Sequence, residues 1–191
     1  MKRREAVTGL AVIIGGSMVG SSLFLTSCKT EEKKARTAST DFSPEEVALL
    51  DEVADTIIPT TDTPGAKAAG VGAFMKVMVT DCYDEGDQRI FVEGISKLGE
   101  ASQKQFSKDF MALDAAQKKT LLTAIDKEMK EYQANKKDAD PKHYFKMMKD
   151  LTLQGYFTSE IGATKALRYV AVPGKYEGCT DYKKGDRAWA T

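Results

Sequence analysis

The chain has 191 residues, of which 28 are basic and 28 acidic, with a single histidine and three cysteines. Balanced charge leaves no basic surface for nucleic acid. One histidine excludes a histidine cluster for zinc, a Ser-His-Asp set with a choice of bases and a haem-attaching Cys-x-x-Cys-His.

Lys2, Arg3 and Arg4 precede twenty-two uncharged residues, Ala6 to Ser27. A positive start, an apolar middle and small residues before a cut site make an export signal over residues 1–27, to be set aside from fold reasoning. Leu25-Thr26-Ser27-Cys28 has the spacing of a bacterial lipobox, which predicts a mature chain beginning at a lipidated Cys28. The alternative is an uncleaved membrane helix, which needs about 20 apolar residues. Glycines and serines dilute this run and make it a poor permanent anchor. Arg3-Arg4 followed by Glu5-Ala6-Val7 also resembles a twin-arginine signal, the route that carries folded cargo; an ordinary secretory signal is the other reading. Two lipid chains anchor a protein stably where one does not. Lys29 to Thr40 is charged and without aromatics, so residues 28–41 are expected to act as a flexible tether.

Without Lys2, Arg3, Arg4 and Glu5 the mature part keeps 25 basic and 27 acidic residues, a charge of about minus two. Residues 42–191 suit one domain with one hydrophobic core. In an oxidising compartment a disulfide between Cys82 and Cys179 is permitted, two separate thiols being the alternative. Closing that loop of about a hundred residues would contribute up to about 4 to 5 kcal/mol in the chain-entropy account.

Helical signals dominate the domain. Ser43 caps, Pro44 takes the first helical position, Glu46 completes a capping box and Phe42 faces Val47 as a staple. Val47, Leu50, Val53, Ala54, Ile57 and Ile58 follow at helical spacing until Pro59. Thr60 to Gly65 is a turn, with Gly65 permitting a tight reversal. A second helix is predicted from near Ala66 to about Tyr83, carrying Val71, Phe74, Val77 and Met78 inward. A third holds Ile90, Phe91, Ile95 and Leu98, weakened by Gly94, and Phe106 and Phe110 sit four apart on another. Asp114 and Gln117 form a second capping box before Leu121, Leu122, Ile125, Met129 and Tyr132. Pro141 begins the last helix, with Tyr144, Phe145, Met148, Leu151 and Tyr156. From Arg168 the chain is Gly-, Pro- and aromatic-rich and reads as irregular. Arg168-Tyr169-Val170-Ala171-Val172 is its longest strand-like run. The fold class is therefore all-α, a single multi-helix domain with an irregular C-terminal tail.

No residue set stands out as catalytic. No Gly-x-Gly-x-x-Gly follows a strand. His143 reads as a surface residue at a helix start, Asp51, Asp55 and Asp62 as solvated carboxylates, and the eight methionines as core filler rather than metal ligands. What a generic helical bundle would not need is three segments joining rigid turn residues to aromatics: Asp55 to Val71, Gly155 to Gly162, and Tyr169 to Cys179.

At these segments the chain resembles the gluconate 2-dehydrogenase subunit 3 family. The shared pattern is Ile57-Ile58-Pro59, then Asp62-Thr63-Pro64-Gly65-Ala66, then Tyr156-Phe157-Thr158-Ser159-Glu160-Ile161-Gly162, then Pro173-Gly174-Lys175-Tyr176-Glu177-Gly178-Cys179. Twin-arginine signals are usual in that family; the lipobox is a departure. The resemblance implies a small accessory subunit with no catalytic, metal or cofactor residue of its own. In that picture FAD and the oxidation of a sugar or polyol belong to a partner of the glucose-methanol-choline type, and a c-type cytochrome takes the electrons. The small subunit would support export and assembly of the partner and, through Cys28, hold it at the periplasmic face of a bacterial membrane, inner or outer. Asp62, Pro64, Gly65, Tyr156, Phe157 and Tyr176 are the candidate partner-facing residues, the alternative being that they cap and turn helices. A free-standing envelope lipoprotein that scaffolds or binds a small molecule is the other function these features allow.

Overall fold

The computed structural model describes residues 41–181 and 183–190. The export signal over 1–27, with Arg3 and Arg4, and the tether from Cys28 to Thr40 lie outside the described residues. Among the described residues five α-helices carry the fold: α1 Pro44–Ile57, α2 Val71–Cys82, α3 Glu85–Phe106, α4 Ala115–Asn135 and α5 Tyr144–Thr158. A 3₁₀ turn, Phe110–Ala112, joins α3 to α4, and a π-helical turn, Gly162–Ala166, follows α5. Among the described residues there is no strand beyond a single parallel bridge between Arg168 and Trp189, and no helix long and apolar enough to cross a membrane.

Both predicted capping boxes form. Ser43 Oγ accepts from the Glu46 amide at 3.3 Å while the Ser43 amide donates to Glu46 Oε2 at 2.9 Å. Asp114 Oδ1 accepts from the Gln117 amide at 2.8 Å and the Asp114 amide donates to Gln117 Oε1 at 3.2 Å. Each arrangement satisfies amides that the first helical turn leaves without partners. Phe42 is buried and meets Phe91 of α3 edge-on at 6.1 Å, so the residue before the α1 cap also ties that helix to its neighbour.

Helix α5 is the centre of the domain, in contact with α1, α2, α3 and α4. Eight of its fifteen residues are buried, including Tyr144, Phe145, Met148, Leu151 and Tyr156, because only a helix apolar over so wide a face can be covered from several sides. Phe91, Leu98, Phe110, Leu50, Val53 and Met75 close around it. Each large side chain so buried contributes about 1.5 to 3 kcal/mol of transfer free energy. The buried hydroxyls have partners within the chain: Ser102 donates to the Lys108 carbonyl and Thr152 to that of Met148, both at 2.7 Å.

The structure departs from the periodicity at four places. Helix α3 runs unbroken through Gly94, whose bare backbone lets Tyr144 of α5 pack where a Cβ would come within 2.5 Å of the tyrosine Cβ. Phe106 and Phe110 share no helix: Ser107, at φ 54°, ends α3, and Phe110 opens the 3₁₀ turn. Helix α2 starts at Val71 rather than Ala66, and Val77 is 54% exposed while Met75 and Val79 fill the core. Helix α5 starts at Tyr144, three residues after Pro141, with His143 as its cap.

That cap makes His143 part of the fold. Its Nδ1 accepts from the Phe145 amide at 3.2 Å, and the imidazole stacks on Tyr144 at 4.8 Å and tilts against Tyr132 at 5.5 Å. Burial, reinforced slightly by Lys97 and opposed by Glu128, pushes its pKa below the ordinary 6.5. A lowered folded-state pKa means that protonation favours the unfolded chain. The His143 contribution to stability is therefore fully present above pH 6.5 and is lost as the pH drops through that value towards the lower folded one. Melting curves from pH 8 to 5 should show this loss, and His143→Asn, which keeps a cap without titrating, should flatten it.

Candidate partner interface

The first of the three aromatic and turn-rich segments is a tightly bonded turn between α1 and α2. The Ile58 carbonyl accepts from the Ala66 amide at 2.9 Å, Thr60 Oγ1 accepts from the Gly65 amide at 3.0 Å, and the Thr61 amide donates to the Thr63 carbonyl at 3.0 Å. These bonds fold Pro59 to Gly65 back on the end of α1. Gly65 does not adopt a left-handed conformation. What demands glycine is close approach: a Cβ there would lie 2.5 Å from Asp55 Oδ1, 2.6 Å from the Thr60 nitrogen and 2.9 Å from the Ile58 oxygen. Thus Gly65 serves contact rather than reversal, and it is buried.

Asp51 and Glu52 of α1 hold this turn and the helix after it, and Asp55 packs against it, which corrects the reading of Asp51 and Asp55 as solvated groups. Asp51 Oδ1 accepts from the Gly72 amide at 2.7 Å, acting as a cap for α2 from across the turn, because Gly70 at the cap position has no side chain to offer. Asp55 stands over Gly65. Glu52 bonds Lys67 beyond the turn and Lys118 of α4, the latter at 2.7 Å. Those two ammonium groups, Lys118 first, hold the Glu52 carboxyl below the usual carboxylate range. Sequence spacing could not reveal these roles, since Gly72 lies 21 residues and Lys118 lies 66 residues from their carboxylates. Asp62, by contrast, is exposed.

The second segment meets the first. Tyr156 is 2% exposed and its hydroxyl donates to the Pro64 carbonyl at 2.7 Å. Tyr156 is thus a core residue that pins the turn, and it presents no face to a partner. Phe157 meets it edge-on at 5.2 Å and is 41% exposed. Ser159 Oγ donates to the Tyr156 carbonyl at 2.6 Å and accepts from the Gly162 amide at 3.0 Å. The block is therefore a helix stop that turns directly into the π-helical turn. Tyr156→Phe should cost about 1 kcal/mol, the net worth of one part-buried hydrogen bond. A lower urea midpoint at unchanged slope would show it.

The third segment stands out from the domain. Tyr169 is 55% exposed, Val172 82% and Tyr176 95%. Among the described residues no hydrogen bond or ring contact ties Tyr176 to the other two segments. Of the six candidate partner-facing residues, Asp62, Phe157 and Tyr176 are on the surface, Pro64 is half-buried, and Gly65 and Tyr156 are interior. Cys82, at the end of α2, and Cys179, in the tail, are exposed free thiols here rather than a disulfide.

The described surface carries open clefts. One of about 260 Å³ lies between α1, α4 and α5, bordered by Thr56, Leu122, Phe145 and the Asp126–Lys149 pair. Among the described residues no three His, Cys, Asp or Glu side chains are grouped to hold a metal ion.

The profile of gluconate 2-dehydrogenase subunit 3 matches residues 44–174, from the first residue of α1 into the exposed tail. The chain belongs to the gluconate 2-dehydrogenase subunit 3 family. Neither a curated protein nor a solved structure matches it. The family is that of an accessory subunit of a dehydrogenase complex. Within it, the first two segments are now seen to be mainly structural, built around the Tyr156–Pro64 bond, and only the third is turned outward along most of its length.

Proposed function

We propose that this chain is a non-catalytic small subunit of a membrane-associated, FAD-dependent sugar or polyol dehydrogenase. It binds the flavoprotein subunit, accompanies it through the twin-arginine route and holds it at the membrane by the lipid on Cys28. The observation that carries this reading is the family match over residues 44–174. Arg3-Arg4 and the Leu25-to-Cys28 lipobox support the export and anchoring parts. FAD belongs to the partner, and a c-type cytochrome is the expected electron acceptor.

The test is recovery of the tagged full chain from detergent extracts, followed by flavin absorbance and sugar-dependent dye reduction. A flavoprotein should co-purify, and deletion of this chain should remove dehydrogenase activity from the membrane fraction. Recovery without flavin, with membrane activity intact after deletion, overturns the proposal and leaves a free-standing envelope lipoprotein. Metabolic labelling with a fatty acid should mark the wild-type chain and not Cys28→Ser.

A further inference from the structure

After the π-helical turn the chain leaves the domain and comes back. Between Tyr169 and Asp181 no backbone–backbone hydrogen bond is made among the described residues. The excursion is nevertheless clamped at its base. The Arg168 amide donates to the Ala188 carbonyl at 2.8 Å and the Ala190 amide to the Arg168 carbonyl at 2.9 Å. The Arg168 guanidinium lies 4.7 Å from the centre of the Trp189 ring. Arg187 donates to the Thr164 and Lys165 carbonyls at 3.3 and 2.7 Å, closing the neck on the π-helical turn. A loop this long without secondary structure is commonly functional or disordered, and this one is fixed at both ends.

Its outgoing limb has the composition of a strand without the pairing of one. Tyr169, Val170 and Val172 are β-formers, 55, 47 and 82% exposed, with amides and carbonyls free of backbone partners. A bare edge of this kind is normally covered or blunted. The domain itself does not need these side chains, since its buried apolar residues end at Tyr156. The family match ends at residue 174 and so includes the outgoing limb while leaving out the returning one.

Resting on the function proposed above, we propose that Tyr169–Val172, with Tyr176 beyond it, is the docking surface for the partner dehydrogenase subunit. The limb adds to an exposed strand edge of that subunit, and alternate side chains enter apolar pockets beside it. A protein edge is the occupant these features favour. Lipid would take the side chains but leave the backbone polar groups unsatisfied, which hydrocarbon does not tolerate.

The experiment uses the full chain, tagged and recovered in detergent with the flavin dehydrogenase that accompanies it. Wild type is compared with Val172→Glu, Tyr176→Glu and Ala171→Pro, the last removing one backbone donor, and with Val77→Glu, an apolar site on α2 that is 54% exposed. Flavin recovered per chain should fall at least about tenfold in the three loop variants and stay at the wild-type level in Val77→Glu, with melting temperatures unchanged throughout. Full retention by the loop variants, or equal loss in Val77→Glu, overturns the docking inference while leaving the accessory role in place. Absence of flavoprotein from the wild-type chain overturns both. In a parallel arm the Cys28→Ser chain is mixed with phosphatidylethanolamine–phosphatidylglycerol vesicles. Loop variants that lose vesicle binding but keep the flavoprotein would assign the surface to lipid and overturn the inference.

Discussion

Gly162→Ala should destabilise the domain by about 3 kcal/mol or more, lowering its melting temperature by about 10 °C. A Cβ at residue 162 would lie 1.8 Å from the Tyr156 carbonyl oxygen, 2.7 Å from its carbon and 3.0 Å from the Phe157 Cα. All three are backbone atoms, so no side-chain rotation can make room. The same oxygen accepts from Ser159 Oγ and from the Ser159 amide at 3.2 Å, and moving it would disturb the end of α5 as well. Gly99→Ala is the internal control. Its Cβ would have no atom within 4 Å and the residue sits inside α3, so that change should stabilise by up to about 1 kcal/mol through helix propensity. Differential scanning calorimetry of the two variants checks both signs.

Gly65→Ala should cost about 2 to 3 kcal/mol for a related reason. Of the atoms within 3 Å of the added carbon, the Thr60 nitrogen and Ile58 oxygen are backbone, and only the Asp55 carboxylate can move aside. Asp55→Ala should therefore fail to rescue Gly65→Ala, and a double-mutant cycle of urea midpoints measures the failure. The result also separates two roles for the turn. A position needed only for partner contact would lower flavoprotein recovery at constant melting temperature. A position needed for the turn itself lowers the melting temperature of the isolated chain, which is the expected outcome.

Local signals were readable from sequence in proportion to how local their physics is. Ser43 with Glu46 and Asp114 with Gln117 satisfy one another within four residues, and the structure pairs them as the spacing predicts. Leu121, Leu122, Ile125 and Met129 of α4 are buried as periodicity demands. The misreadings concern residues whose environment comes from elsewhere in the chain. Gly94 looks like a weak point of its helix until Tyr144 is seen to require it. Asp51 looks solvated until the Gly72 amide is placed beside it. Val77 fits an apolar stripe, yet the core side of α2 is set by Met75 and Val79.

The candidate interface shows the same division. Tyr156 and Phe157 are adjacent aromatics in one motif that offers both to a partner, whereas helical periodicity sets only Tyr156 on the side of Phe145 and Met148. Tyr156 points to the Pro64 carbonyl and is buried, whereas Phe157, about 100° further round the helix, is half in solvent. The tail was legible as irregular and aromatic. Its clamp was not, because Arg168 meets Trp189, and Arg187 the Thr164 and Lys165 carbonyls, only after the chain has doubled back.

That clamp alters the entropy of association. A free C-terminal tail would surrender about 1 to 2 kcal/mol of backbone freedom for each residue a partner ordered. With residues 168 and 188–190 joined, the chain between them has already given up its loop-closure entropy on folding. Part of the ordering cost of contact is thus met before any encounter. Arg168→Ala, by taking the guanidinium off the Trp189 ring and loosening the neck while the two main-chain bonds remain, should weaken partner retention through partial loss of this preorganisation and leave every apolar side chain of the loop in place.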